Sequence, residues 1–214
     1  MRRGTFRDET VNYAAVGATQ APDLLQYPPE KSIPAQESWK LGSGEERFRS
    51  AGDALLSWSA LRDGGISIAE VRPASDPSYS GVSFDDEGQP IAPSRLDADQ
   101  RFDADGTPYV AAGSSVHVRG RVGGYRVDAE LRVIFVVEEK RRIGFALGTV
   151  RDSVVIDDDS FMIEWCSSDD VCYTFLSFVR PASHLYRLFP ALSLRPRLVF
   201  LVRLLRVMVP MDPA

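Results

Sequence analysis

The sequence predicts an α+β fold in which a curved antiparallel sheet carries a long C-terminal helix packed on one face. Three observations carry this expectation. Val116 to Val179 alternates apolar and polar residues at a period of two, the signature of half-buried strands. Gly44 to Leu61 has an apolar stripe at helical spacing through Phe48, Ala51, Leu55, Trp58 and Leu61. Pro181 to Val209 ends the chain with a second helical pattern, apolar enough to cover the strand face that would otherwise meet water.

Taken in order, the first forty residues contain Pro22, Pro28, Pro29 and Pro34, so residues 1–37 are expected as an extended wrapping segment and not a helix. Ser38 to Leu41 reads as a short strand. Ser43 is the expected cap of the Gly44–Leu61 helix, Glu45 and Glu46 complement its positive dipole end, and Gly64-Gly65 stops it. Ile66, Ile68 and Val71 mark a following strand. Residues 73–108 turn to Asp, Ser, Gly and Pro with scattered Tyr79, Phe84 and Phe102, which predicts a polar loop or insertion within a single domain spanning 1–214.

The strands follow. Val116 to Val122 puts His117, Arg119 and Arg121 on its polar face. From Tyr125 to Val137 the odd-numbered residues share the apolar face, and Glu138 to Arg141 forms a charged turn. Ile143, Phe145, Leu147 and Thr149 resume the apolar face opposite Gly144, Ala146 and Gly148. Phe161, Ile163 and Trp165, then Val171, Tyr173, Phe175 and Val179 after a polar turn, complete a meander of about five strands.

A chain of 214 residues with 44% hydrophobic residues can bury one generous core. The net charge of −5 and a pI near 5.1 exclude a dedicated nucleic-acid binder, which needs a basic field. Cys166 and Cys172 read as two free thiols. A cross-strand disulfide between them is geometrically allowed, but two thiols define neither a framework nor a zinc site. Met1 to Thr10 lacks the apolar core of a secretory signal, which gives a cytoplasmic expectation. Arg195, Arg197, Arg203 and Arg206 interrupt the terminal helix, so it is not expected to span a membrane. Peripheral contact of its basic face with an anionic membrane is the alternative to packing on the sheet.

No nucleophile elbow, phosphate loop or histidine-rich metal spacing is present, so neither catalytic residues nor a metal or cofactor are expected. His117 and His184 read as surface or capping residues. Glu130, Glu164 and Tyr173 are the groups that acid or base work in a dry cavity would need. Asp103, Asp105 and Gly106 begin like a calcium loop whose later ligands are missing, and Asp157 to Asp159 reads as a solvated turn. Arg132 is expected in a cross-strand ion pair with Glu130 or Glu164 on the outer face. The apolar strand face directs Tyr125, Phe135, Phe145, Phe161, Trp165, Tyr173 and Phe175 toward the terminal helix. These seven are the candidate lining of a pocket for a hydrophobic small molecule or lipid, and the same residues could equally interlock as a filled core.

Five pieces, Asn12–Thr19, Ala54–Trp58, Leu131–Val137, Gly144–Thr149 and Phe178–Pro181, resemble successive landmarks of the bacterial and plant family called domain of unknown function 1990. The family typically continues from Gly-Phe-Ala-x-Gly-Thr through a Gly-His-Pro turn into a Gly-Glu-Glu pair. Here Val150 to Ser160 reads VRDSVVIDDDS, with no histidine and with Asp158 and Asp159 where the glutamates stand; Leu147 replaces a tyrosine. The element order is also similar to the helix-grip fold of the START and Bet v 1 type. That resemblance implies an apolar cavity between sheet and terminal helix, with an enzyme of the polyketide-cyclase-like type as a further alternative.

Overall fold

Most of the alternating sequence folds into one seven-stranded antiparallel sheet. The computed structural model describes residues 16–20, 24–73, 83–84, 90–91, 101–122, 125–150 and 155–181. Strand β1 (Ile33–Ser43) leads into helices α1 (Glu45–Leu56) and α2 (Ser59–Asp63) and then β2 (Ile66–Arg72). Two short strands, β3 (Ser83–Phe84) and β4 (Pro90–Ile91), pair with each other. The meander is β5 (Ser115–Val122), β6 (Tyr125–Glu138), β7 (Arg142–Thr149), β8 (Val155–Trp165) and β9 (Asp170–Pro181). Across the sheet the order is β1-β9-β8-β7-β6-β5-β2, so the first strand lies beside the last and β2 forms the far edge. The expected terminal helix, with His184 and its four arginines, lies outside the described residues; β9 itself runs on to Pro181.

The stripe predicted for the first helix is buried through Phe48, Ala51 and Leu55, and Gly52 lets α1 approach β7. A Cβ on Gly52 would stand 2.7 Å from Ile143 Cδ1. Two expectations are corrected. Gly44, at φ 90°, precedes the helix with no side-chain cap, while Ser43 stays in β1 with its hydroxyl 3.4 Å from Asp170. The helix also does not run through to Leu61, because Trp58 takes a left-handed backbone, φ 65°, and divides α1 from α2. That conformation costs a bulky residue about 1–3 kcal/mol. It is offset by complete burial of the indole, whose N–H donates to the Pro108 carbonyl at 2.9 Å.

The sheet's helix face carries Val133, Phe145, Phe161, Ile163 and Tyr173 against α1 and α2, and here the main core sits. The expected alternation along β6 breaks at a bulge between Val133 and Phe135. Beyond it the parity reverses: Val136 packs on the core, and Phe135 and Val137 turn to the opposite face. The opposite face is crossed by a strap, a turn at Gly17–Gln20 followed by Leu24, which packs on Phe178 and Leu176.

Candidate functional site

On the helix face the register sets Phe145, Phe161 and Phe175 side by side across three strands. Their ring centroids are 5.3 and 5.4 Å apart, and Trp58 meets Phe145 edge-on at 5.4 Å. One row away, Tyr173 stacks on Trp39 at 5.9 Å. Trp165 is half-buried between Phe48, at 6.0 Å, and the Arg141 guanidinium, 4.7 Å above its ring. The structure therefore gathers Phe145, Phe161, Trp165, Tyr173 and Phe175 on one face, places Tyr125 at the start of β6, and sends Phe135 to the strap face.

Tyr173 differs from its neighbours in carrying a polar atom. The ring is fully buried, and its hydroxyl has no hydrogen-bond partner among the described residues. Burial pushes the phenol well above its ordinary pKa of 10, so at neutral pH it is an O–H donor and not a base. Glu130 and Glu164, the other acid-base candidates, lie half-exposed and outside this interior, bridged to Arg72 at 3.0 Å and to Arg142 at 3.2 Å.

The remaining candidates have structural partners. His117 Nε2 meets Asp128 at 2.7 Å, and His117, Arg119 and Arg126 together hold that carboxyl below its usual range. Asp103 is bridged to Arg62 and accepts the backbone N–H groups of Asp105 and Thr107 at 3.0 and 2.8 Å, so the supposed calcium loop is a turn closed by its own backbone. No cluster of metal-ligating side chains occurs among the described residues. Residues 101–110 dock on the helices through Asp103, through Pro108, and through Tyr109, whose hydroxyl reaches Asp53 at 2.9 Å. Cys166 and Cys172 are both free thiols, and burial pushes Cys172 up.

Asp157 to Asp159 is no solvated turn. All three lie in β8, and Asp158 is completely buried. Its carboxylate accepts the Gly17 N–H at 3.0 Å and the Thr19 hydroxyl at 2.8 Å, which pins the strap to the sheet. Register places Arg132, Gly148 and Asp158 in one row across β6, β7 and β8. The sequence suggested a wrapping segment in residues 1–37 but not that it docks on Asp158. The signal that could have found it is the Gly144-x-Ala146-x-Gly148 alternation, which leaves one sheet face without side chains tall enough to cover it.

Two helices between the first two strands, and a first strand paired to the last, give the sheet arrangement of the helix-grip class. The chain belongs to the family described as Domain of unknown function (DUF1990), whose model matches residues 12–88 and 95–206. No curated protein matches the chain. Similar solved structures include hypothetical protein jhp0584 from Helicobacter pylori, with 9% identity over 92% of this chain and 95% of that one, TM-score 0.45. Ginseng major latex-like protein 151 from Panax ginseng has 9% identity over 84% and 99%, TM-score 0.48. Norcoclaurine synthase from Thalictrum flavum, in complex with dopamine and hydroxybenzaldehyde, has 9% identity over 86% and 90%, TM-score 0.45. Likeness at this level carries no inference about ligand or activity. No helix of the described residues is long and apolar enough to cross a membrane.

Proposed function

We propose that the protein is a non-catalytic, cytoplasmic binder of a small apolar molecule or lipid, held on the helix face between the aromatic rows and a covering helix formed by the terminal segment. Tyr125, Phe145, Phe161, Trp165, Tyr173 and Phe175 would contribute the apolar surface. The observation that carries this reading is the Tyr173 hydroxyl, buried without a partner among the described residues. An orphaned buried hydroxyl costs about 1–3 kcal/mol, a cost that phenylalanine would avoid with nearly the same shape. A ligand with an acceptor oxygen would complete it, the phenol donating.

A second reading, an interaction protein with a filled interior, is favoured by the 5.3–5.4 Å ring spacings, which are those of packed aromatic pairs. Tyr173→Phe separates the two. Binding predicts that the ligand-free variant melts higher, by about 1 kcal/mol of added stability, and binds the apolar ketone dye prodan about threefold to tenfold more weakly. A variant that binds prodan as the parent does, or that loses stability, refutes the assignment of Tyr173 as the ligand's hydrogen-bond donor.

A further inference from the structure

A cavity of about 360 Å³ lies on the strap face, away from the site described above. It arises from β7. Phe145 and Leu147 fill the core on the helix face, while Gly144, Ala146 and Gly148 face the strap with nothing beyond a Cβ. At Gly144 even that is excluded, since a Cβ would stand 2.1 Å from the Phe161 carbonyl oxygen. Side chains of β6, β8 and β9 rise on either side of this low strand and line the trough, with the Met162 sulfur lying beside Gly144.

The walls are amphipathic. Phe135 and Val137, turned here by the β6 bulge, face Met162 and Leu176 across the trough, and Ser160 and Thr174 offer hydroxyls. Thr19 and Gln20 of the strap border it, and the buried Asp158 carboxylate anchors that border. At the mouth, Arg142 lies 3.2 Å from Glu164 and 3.9 Å from Glu139. Two carboxylates thus share one guanidinium, and Lys40, on the strand beyond β9, is held by Asp170 at 2.6 Å. Among the side chains that line the cavity, an anion would meet two carboxylates against one guanidinium, and a cation two carboxylates that share that guanidinium.

We infer that this cavity is a second binding site, for a small amphipathic molecule with an apolar body and one protonated amine. Its volume lies within the roughly 300–1,000 Å³ common for small-molecule sites, and its few polar groups on apolar walls are the usual composition. The apolar body lies along the trough against Phe135, Met162 and Leu176. The amine shares Glu164 and Glu139 with Arg142.

The test uses the full chain, labelled at methyl groups, with three dansyl probes of one body: dansylcadaverine (amine), dansyl amide (neutral) and dansylglycine (carboxylate). Saturable binding is expected in the order amine, amide, carboxylate, with shifts of the Val137, Met162 and Leu176 methyls and none at Leu55, Ile163 or Val171. Glu164→Gln and Glu139→Gln, at half-exposed positions outside the core, each weaken the amine by about threefold to fivefold. Arg142→Gln tightens it, because the competing cation is gone. Absence of saturable binding, equal affinity for the three probes, or an unchanged affinity in the charge variants overturns the inference. Shifts confined to helix-face methyls overturn it while supporting the pocket proposed there.

Discussion

Thr19→Val should release the strap without loosening the core. The Thr19 hydroxyl donates to the buried Asp158 carboxylate at 2.8 Å, and valine keeps the volume while removing the donor. A hydrogen bond to a charged group contributes about 1.5–3 kcal/mol. Asp158 keeps the Gly17 N–H, so the loss is expected at the lower end, about 1.5 kcal/mol. The strap packs on a small cluster of its own, Leu24 with Phe178 and Leu176, and its opening need not break the main core. Hydrogen exchange reads the difference directly. The amides of Gly17 and Gln20, bonded to Asp158 and to the Gly17 carbonyl, should exchange about tenfold faster, since 1.4 kcal/mol is a factor of ten. Amides of β8 at Phe161 and Ile163 should be unchanged. Asp158→Asn should cost less than Asp158→Ala, because an amide oxygen can still take the Gly17 N–H while its NH₂ donates to Thr19. Unaltered exchange at Gly17 in Thr19→Val, or equal acceleration throughout the sheet, would refute the reasoning.

Two further outcomes follow from particular contacts. Asp103 is held below the ordinary carboxylate value of 3.8, first by its hydrogen bond from Arg62, so the unfolded chain takes up the proton first as pH falls. Its stabilisation is complete above that value and is lost as pH drops through the depressed one; the Asp105 and Thr107 amides should lose exchange protection in that acid window and not at neutral pH, a transition that Arg62→Gln should abolish. Gly144→Ala should destabilise by about 1–3 kcal/mol or prevent folding, because its Cβ meets the backbone of Phe161 and Met162, whereas Gly52→Ala meets only the side chain of Ile143, from Cδ1 at 2.7 Å to Cβ at 3.3 Å, and should cost less; urea melts with matched m-values compare them.

The meander was legible because polar residues alternate with apolar ones wherever a strand has one wet face, as from Arg126 to Arg132, and because Gly64-Gly65 marks a helix end in chain order. The bulge was not. Leu131 to Val137 reads LRVIFVV, apolar in both parities after Arg132, so slipping the frame by one residue leaves no mark in the sequence while it moves Phe135 to the other face. Trp58 fits the helical stripe in spacing, and its left-handed backbone accompanies an indole hydrogen bond to Pro108, fifty residues away, which no local pattern marks. Asp158 looked solvated because three adjacent carboxylates usually are; the groups that satisfy it, Gly17 and Thr19, lie 141 and 139 residues earlier in the chain. Of the candidate pocket, the residues on strands of unbroken register, Phe145, Phe161, Trp165, Tyr173 and Phe175, share the helix face, and what distinguishes Tyr173 among them is a hydroxyl without a partner among the described residues, which no sequence pattern encodes.

Native mass spectrometry of the purified full chain tests the central proposal most directly. A small molecule held on the helix face and completed by Tyr173 predicts a discrete adduct that survives gentle ionisation, leaves on denaturation, and is depleted in Tyr173→Phe. The bare polypeptide mass in every preparation, together with no saturable prodan binding, would contradict it and leave the aromatic rows as a filled core.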